Sequence, residues 1–176
     1  MGAMVETKSS VDAVKSAGGD ELLQLVTFNL GSEEYAVAIL KVQEINRMKE
    51  ITRVPNSPPY VEGVINLRGK VIPVVNLRSK FGLAAKENNE QTRIMIMDIQ
   101  GITMGLVVDS VSEVLRIPST TVGPTPPMAS NISSEFIKGI AKVDERLIIL
   151  LDMDRLLGKT EGEEMIDVTT KAIENK

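Results

Sequence analysis

The stretch Tyr60-Val61-Glu62-Gly63-Val64-Ile65-Asn66-Leu67-Arg68-Gly69-Lys70-Val71-Ile72-Pro73-Val74-Val75-Asn76-Leu77 decides the fold. Two runs rich in branched apolar residues flank Arg68-Gly69, and the glycine marks a tight turn. Val61–Arg68 and Lys70–Leu77 are therefore expected to pair as a hairpin. Pro73 has no N–H to give to a ladder, which argues for an edge position or an interruption in the second strand. The same pattern returns at a constant offset of 76 residues in Phe136-Ile137-Lys138-Gly139-Ile140-Ala141-Lys142-Val143-Asp144-Glu145-Arg146-Leu147-Ile148-Ile149-Leu150-Leu151-Asp152-Met153. It carries on from Leu77–Gly82 into Met153–Gly158. An earlier stretch, Ile39-Leu40-Lys41-Val42-Gln43-Glu44-Ile45, matches Val108-Asp109-Ser110-Val111-Ser112-Glu113-Val114 at an offset of 69. Fixed offsets that keep glycines and charges in register indicate duplication of a small β unit.

Outward from the hairpin, Leu22–Leu30 has partial strand alternation, Gly31–Glu34 supplies a turn, and Tyr35–Ile39 returns. Leu40–Met48 is ambiguous, and Leu40–Ile45 fits a helical turn leading into a strand. Pro55, Pro58 and Pro59 make a rigid surface connection, and Asn76–Gly82 fits a short helix stopped at its glycine. In the second half Arg93–Ile99 and Ile102–Val108 flank a turn at Gln100-Gly101, and Val111–Ile117 repeats the ambiguous element. Ser119–Ser134, with Pro124, Pro126 and Pro127, is expected to be a long surface loop. Phe136–Val143 and Arg146–Leu151 form the second hairpin, turning at Asp144-Glu145. Asp152–Gly158 resembles another short capped helix, and Lys159–Glu164 a solvated connection. The expected organisation is a flexible tail over 1–20, a first β-barrel unit over 21–85, a linker over 86–92, a second unit over 93–158, and a C-terminal extension or short docking helix over 159–176. Closure protects strand edges, so an all-β duplicated pair of five-stranded barrels is favoured over a flat sheet. A half of about 75 residues is marginal alone, so the two are expected to share a buried seam, with strand exchange between them left open.

Composition narrows the function. The chain has 176 residues, 43% of them hydrophobic, with 9 Met but only 3 Phe, 2 Tyr and no Trp. Its formal charge of −4 is poor for binding polyanions, and the sparse aromatics give no stacking platform for bases. Without Cys or His there is no disulfide, thiolate nucleophile, imidazole–zinc site, Ser-His-Asp triad or phosphorylatable histidine. No apolar run approaches the roughly 18 residues of a membrane helix, and Met1–Asp20 lacks a secretory h-region. Glu6 spoils a myristoylation pattern. Gly63, Gly69, Gly101 and Gly105 fit neither a phosphate loop nor a dinucleotide fingerprint, so turn geometry and tight packing account for them. The pairs Asp152/Asp154 and Glu163/Glu164 suit a helix start and a solvated run better than a metal or acid–base pair. Glu33 and Glu34 are simplest as turn charges. No catalytic residue, metal or cofactor is expected.

Arg68 ends the first hairpin strand, where a guanidinium can project from a rigid edge. It either pairs with Glu62 across the strand or recognises carboxylates or carbonyls of a protein partner. Its counterpart by the repeat is Asp144, so duplication alone does not demand an arginine there. Glu44 has the converse role as acceptor. Val42, Val64, Val75 and Met104 either fill the β core or line a shallow groove able to receive an amphipathic helix.

The Tyr60–Leu77 segment resembles the CheW family of bacterial chemotaxis coupling proteins. The likeness includes Glu34-Tyr35, Ile39-Leu40-Lys41-Val42-Gln43-Glu44-Ile45, Leu106-Val107-Val108-Asp109 and Val111-Ser112-Glu113-Val114-Leu115, and it covers about Leu22 to Gly158. It implies two intertwined SH3-like or OB-like β-barrels with short peripheral helices. It also implies a noncatalytic adaptor, cytoplasmic and recruited to membrane-associated receptor arrays. The implied partners are the regulatory domain of the histidine kinase CheA and the cytoplasmic signalling tip of methyl-accepting chemotaxis receptors, with no nucleic acid and no membrane insertion. By the resemblance, receptor coupling falls on Val42, Glu44, Gly63 and Arg68, with Val114 in the second half, and Met104 and Gly105 belong to a kinase-facing surface. A CheW-domain scaffold of another kinase-linked pathway is the alternative, and an OB-like nucleic-acid binder a more distant one.

Overall fold

Ile94, Met95, Ile96 and Met97 are all 0% exposed, a state a strand reaches only when both its faces are covered. A computed structural model of the chain, which describes residues 21–124, 134–157 and 159–174, shows what covers them. The expected tail over 1–20, Pro126 and Pro127 of the surface loop, and Gly158 lie outside the described residues. The strands are β1 Leu22–Leu30, β2 Glu33–Ala38, β3 Val42–Arg47, β4 Val61–Leu67, β5 Lys70–Asn76, β6 Arg93–Ile99, β7 Ile102–Val108, β8 Ser110–Pro118, β9 Val122–Gly123, β10 Ile137–Val143 and β11 Arg146–Leu151. Helix α1 spans Leu77–Lys80 and α2 Lys159–Glu174, and 3-10 turns occupy Ile39–Lys41, Ser119–Thr121, Ser134–Phe136 and Met153–Arg155. The class is all-β, as expected.

Two sheets form, ordered β8-β1-β2-β11-β10-β9 and β3-β6-β7-β5-β4. Each draws strands from both halves of the chain, so the strands are exchanged. Two parallel pairings join the halves. Val74 lies opposite Gly105 between β5 and β7, and Tyr35 opposite Ile149 between β2 and β11. The five-stranded sheet curls round Ile65, Leu67, Ile72, Val74, Ile94, Ile96 and Val107. The six-stranded sheet curls round Leu25, Ala36, Ile117, Ala141, Ile148 and Leu150. The alternate residues, including Val26, Phe28, Val37, Val75, Met95, Met97, Leu106 and Ile149, meet between the sheets in the largest buried cluster. That cluster is the expected apolar seam. All three phenylalanines and Tyr35 line up through it or along its margin: Phe28–Tyr35, Tyr35–Phe81 and Phe81–Phe136 have ring centroids 5.8, 6.1 and 5.5 Å apart.

The ladders do not run unbroken round a ring, as two closed five-stranded barrels would require. Instead, both edges of each sheet belong to consecutive stretches of chain. The chain leaves edge strand β3 and at Thr52 bridges the other edge, where Thr52 and Val64 exchange two backbone hydrogen bonds of 2.8 Å. The chain likewise leaves β8, bends through Ser119–Thr121, and as β9 pairs with β10. Bulges at Val61/Gly63 and Ile137/Gly139 admit these returning segments. A Cβ on Gly63, whose φ is +148, would overlap the Thr52 carbonyl; one on Gly139 would sit 2.7 Å from the Gly123 oxygen. The two glycines that match across the repeat are thus the same packing device used twice.

Several local expectations are corrected. β5 lies inside its sheet, so Pro73 is not on an edge strand; pairing with β7 begins only at Val74, which spares the ladder a missing N–H. Leu40–Met48, by contrast, follows the expected helical turn leading into a strand: the last residues of a 3-10 turn run into β3. Within Asp152–Leu157 the expected short capped helix is a 3-10 turn over Met153–Arg155, with Asp152 accepting from the Asp154 N–H at 3.2 Å. Lys159–Glu164 is no solvated connection but the start of α2, which packs on β4 and β5. Glu33 and Glu34 begin β2, where Glu33 accepts a 2.6 Å hydrogen bond from the Tyr35 hydroxyl.

One largely buried ion pair ties the halves together. Arg78 Nε and Nη2 donate to Asp109 Oδ1 and Oδ2 at 2.9 and 2.6 Å, and the Gly31 N–H donates to Oδ2 at 2.8 Å. Both side chains are 15% exposed. Burial alone would raise the Asp109 pKa, but Arg78 and the Gly31 amide outweigh it and hold the carboxyl below its ordinary value. A depressed carboxylate contributes stability above its unfolded pKa of about 3.9 and loses it as pH falls through the folded value. Asp109→Asn should therefore cost about 3 kcal/mol at pH 7, and the gap to wild type in urea melts should narrow below pH about 4. Gly63→Ala and Gly139→Ala should each cost about 3 kcal/mol, while Gly123→Ala, with open space at its Cβ, should be nearly neutral.

Candidate functional site

Edge strand β3 carries the first candidates. A bulge between Val42 and Glu44 shifts its alternation. Val42, opposite Met97, and Ile45, opposite Met95, consequently share the seam face, while Glu44, opposite Ile96, turns to the other. Val42 is half-buried against the seam, whereas Ile45 continues the buried row of Met95 and Leu106 outward and is 39% exposed. Strand β8 repeats the device. A bulge between Val111 and Glu113, facing Thr27 and Phe28 of its partner β1, sets Val111 opposite Phe28, Glu113 opposite Thr27 and Val114 opposite Val26. Val114 extends the row of Val37 and Val26 and is 54% exposed. At both edge strands the seam ends in a solvent-facing apolar residue, at positions the repeat makes equivalent.

Arg68 occupies the β4–β5 turn with φ +52, followed by Gly69 at φ +87. That left-handed pair fits a tight hairpin, and the Gly69 N–H donates to Asn66 Oδ1 at 2.9 Å. The Arg68 guanidinium donates through both Nη atoms to the Glu44 carboxylate. Its hydrogen bond holds the Glu44 carboxyl below the usual carboxylate range. The expected cross-strand partner Glu62 instead accepts a 2.5 Å hydrogen bond from Asn76 Nδ2. Because β3 and β4 are opposite edges of one sheet, the Arg68–Glu44 pair is a clasp across its open side.

The second sheet has its own clasp. Arg146 Nε and Nη2 donate to Glu34 Oε1 and Oε2 at 3.1 and 3.0 Å, and Nη2 lies 2.8 Å from Glu113 Oε2. Glu113 is the repeat counterpart of Glu44, but its arginine stands two residues beyond Asp144, the counterpart of Arg68. Matching residue against residue therefore hides the clasp, and only the geometry reveals it. Ile45 was likewise missed, although its offset match to Val114 pointed to it.

Two groups of candidates are not surface residues. Met104 is fully buried in the seam, and a Cβ on Gly105 would lie 2.7 Å from Ile94 Cγ2. Both are covered on β7, an interior strand, so the expected kinase-facing surface at Met104 and Gly105 is corrected to a packing role. Gly63 is buried under Thr52, so a partner would sense it only through the backbone it shapes. Val42, Glu44, Arg68 and Gly63 are brought to one sheet; Val114 belongs to the other. Apolar residues beside paired charges are a composition common at protein interfaces, where the apolar centre supplies affinity and the rim sets orientation. Among the described residues no group of acidic side chains is placed to hold a metal, and no helix is long and apolar enough to cross a membrane.

The family profile described as "CheW-like domain" matches residues 24–161. The "Chemotaxis protein CheW" of Klebsiella aerogenes is 37% identical over 147 residues, covering 84% of this chain and 89% of that protein. That of Helicobacter pylori is 39% identical over 145 residues, covering 82% and 87%. The crystal structure titled scaffolding protein TtCheW, from Thermoanaerobacter tengcongensis, superposes with a TM-score of 0.71 at 38% identity, covering 77% of this chain and 88% of that one.

The second clasp is partly solvated, so its stability effect is expected to be small and salt-sensitive. Arg146→Ala should cost about 1 kcal/mol in urea melts at low salt. The deficit should shrink in 1 M salt, where the Debye length falls to about 3 Å.

Proposed function

The chain belongs to the CheW-like domain family, and from that premise we propose that it is a noncatalytic adaptor coupling chemoreceptors to the kinase CheA. The observation that carries the reading is the agreement between family membership over nearly the whole described chain and a surface built for protein contact. Val42, Ile45, Glu44 and Arg68 offer an apolar edge with a charged clasp beside it, and Val114 offers a second apolar edge. Relatives are named chemotaxis proteins, and the superposed structure is titled a scaffolding protein.

The proposed partners are the cytoplasmic signalling tip of methyl-accepting receptors and the regulatory domain of CheA. The protein would work in the cytoplasm, recruited to receptor arrays at the membrane. The mechanism needs no bond making. An adaptor that held every kinase state equally would change no activity, so it must favour one arrangement of kinase and receptor over another. Rigid sheet edges suit that task, because they fix the angle between two partners. Val42, Glu44, Gly63, Arg68 and Val114 are the proposed coupling positions, with Gly63 acting through the backbone.

Deleting the gene should abolish receptor-controlled kinase activity, and the tagged protein should retain receptors and kinase in pull-downs. Retention of normal control after deletion, in a cell with no second copy, would overturn the reading. Arg68→Glu should weaken receptor-stimulated kinase activity while leaving the melting temperature close to wild type, since the clasp is solvated. Unchanged binding and kinase control in a folded Arg68→Glu protein would remove Arg68 from the site.

A further inference from the structure

Helix α2 is pinned at one end and loosely packed at the other. Near its start, the Lys80 ammonium, only 8% exposed, pairs with Glu161 and lies 4.7 Å from the Tyr60 ring centroid. The Tyr60 hydroxyl donates to Glu164 at 3.2 Å. Met165 and Val168 follow, both buried in the cluster that holds Val61 and Val64 of β4. Beyond them, among the described residues, only Ala172 packs on that cluster, and it is partly buried. Ala172 borders a cleft of about 310 Å³ whose other walls include Val54, Pro55, Val64, Ile65 and Val71. An alanine at that place leaves the apolar floor unfilled.

The helix has little reason to hold itself together. Gly162, Ile166, Asp167, Val168, Thr169, Thr170 and Ile173 are all weak helix formers. Thr169 and Thr170 bond back to the Met165 and Ile166 carbonyls at 3.2 and 3.0 Å. Ile166 and Ile173 face solvent. The helix therefore depends on its docking, and the docking is weakest in its last turns.

We propose that α2 is an intramolecular occupant of a helix-docking groove on the β4–β5 hairpin, and that an amphipathic helix of the receptor tip seats in this groove by displacing α2's last turns. The proposal rests on the receptor-coupling reading above and adds a gate to it. The unfilled cleft takes a leucine- or phenylalanine-sized side chain that Ala172 does not supply. Its polar margin selects an acidic flank. Arg53 lines it, is exposed and has no ion-pair partner among the described residues. Asn66, which braces the Arg68 turn, lines it too. Helix-in-groove binding combines such a large apolar anchor with charges that set register. While α2 holds the groove, only the fraction of molecules with it released is competent, and apparent affinity falls by that fraction.

The test uses the full chain and a soluble receptor-tip fragment. The chain has no cysteine, so Ile173→Cys accepts a single fluorophore at an exposed position on α2. Adding fragment should change the label's signal saturably. The double variant Glu161→Gln/Glu164→Gln should melt lower yet bind the fragment about fivefold tighter. Ala172→Leu, filling the cleft, should melt higher yet bind about fivefold weaker. These opposite movements of stability and affinity distinguish displacement from general unfolding. If the wild type binds the fragment and neither variant shifts its affinity, the gate is refuted while receptor coupling stands. Binding by the loosened variant but not by wild type would support the gate outright. Binding by neither would overturn both.

Discussion

The structure depends on one constraint: its central strands are apolar on both faces and must be covered on both. In Ile94–Met97 and Ile148–Leu151, odd and even residues point to opposite sides, and each side needs its own partner surface. Each sheet meets one demand by curling round a small core and the other by resting its outer face on its neighbour. The seam is thus shared property of the two sheets. Neither could leave without stranding a full face of Val, Leu, Ile and Met in water, at about 25 cal/mol per Å².

The exposed apolar edges follow from the margin of that arrangement. Where a strand is interior, both alternating sets are buried, and Met104 and Gly105 belong to this class. Where a strand lies at an edge, the seam row runs one residue too far, and Ile45 and Val114 emerge. The carboxylates next to them, Glu44 and Glu113, face the opposite way and are used to close the curl. Duplication kept the apolar edge and the carboxylate in register but moved the arginine by two positions. The two edges are therefore alike in shape and different in charge placement.

Much of this was legible in the sequence. Both hairpins, the repeat, the seam and the short helix after β5 follow from branched runs, glycines and fixed offsets. Strand exchange was not legible, because periodicity reports which face a residue takes and not which strand lies beside it. For Arg68 the sequence left a pair with Glu62 or a partner contact open, since nothing local points to Glu44 across the curl. Met104 sits in a run that would suit either an interior or a seam-lining strand. A docking helix was among the expectations for the C-terminal segment, but its first turn was hidden because Glu161, Glu163 and Glu164 look solvated until Lys80 and Tyr60 are found opposite two of them.

The exchange of strands has a consequence for how the molecule comes into being. β2 takes β11 as its neighbour, so the sheet begun by β1 and β2 stays incomplete until the last described strand has left the ribosome. The first half cannot mature and wait as a finished module. The order of synthesis is not the order of assembly, and pairings this distant along the chain make folding slow. Throughout that interval the half-made seam is sticky, which makes the nascent chain, rather than the native protein, the form most in need of a chaperone.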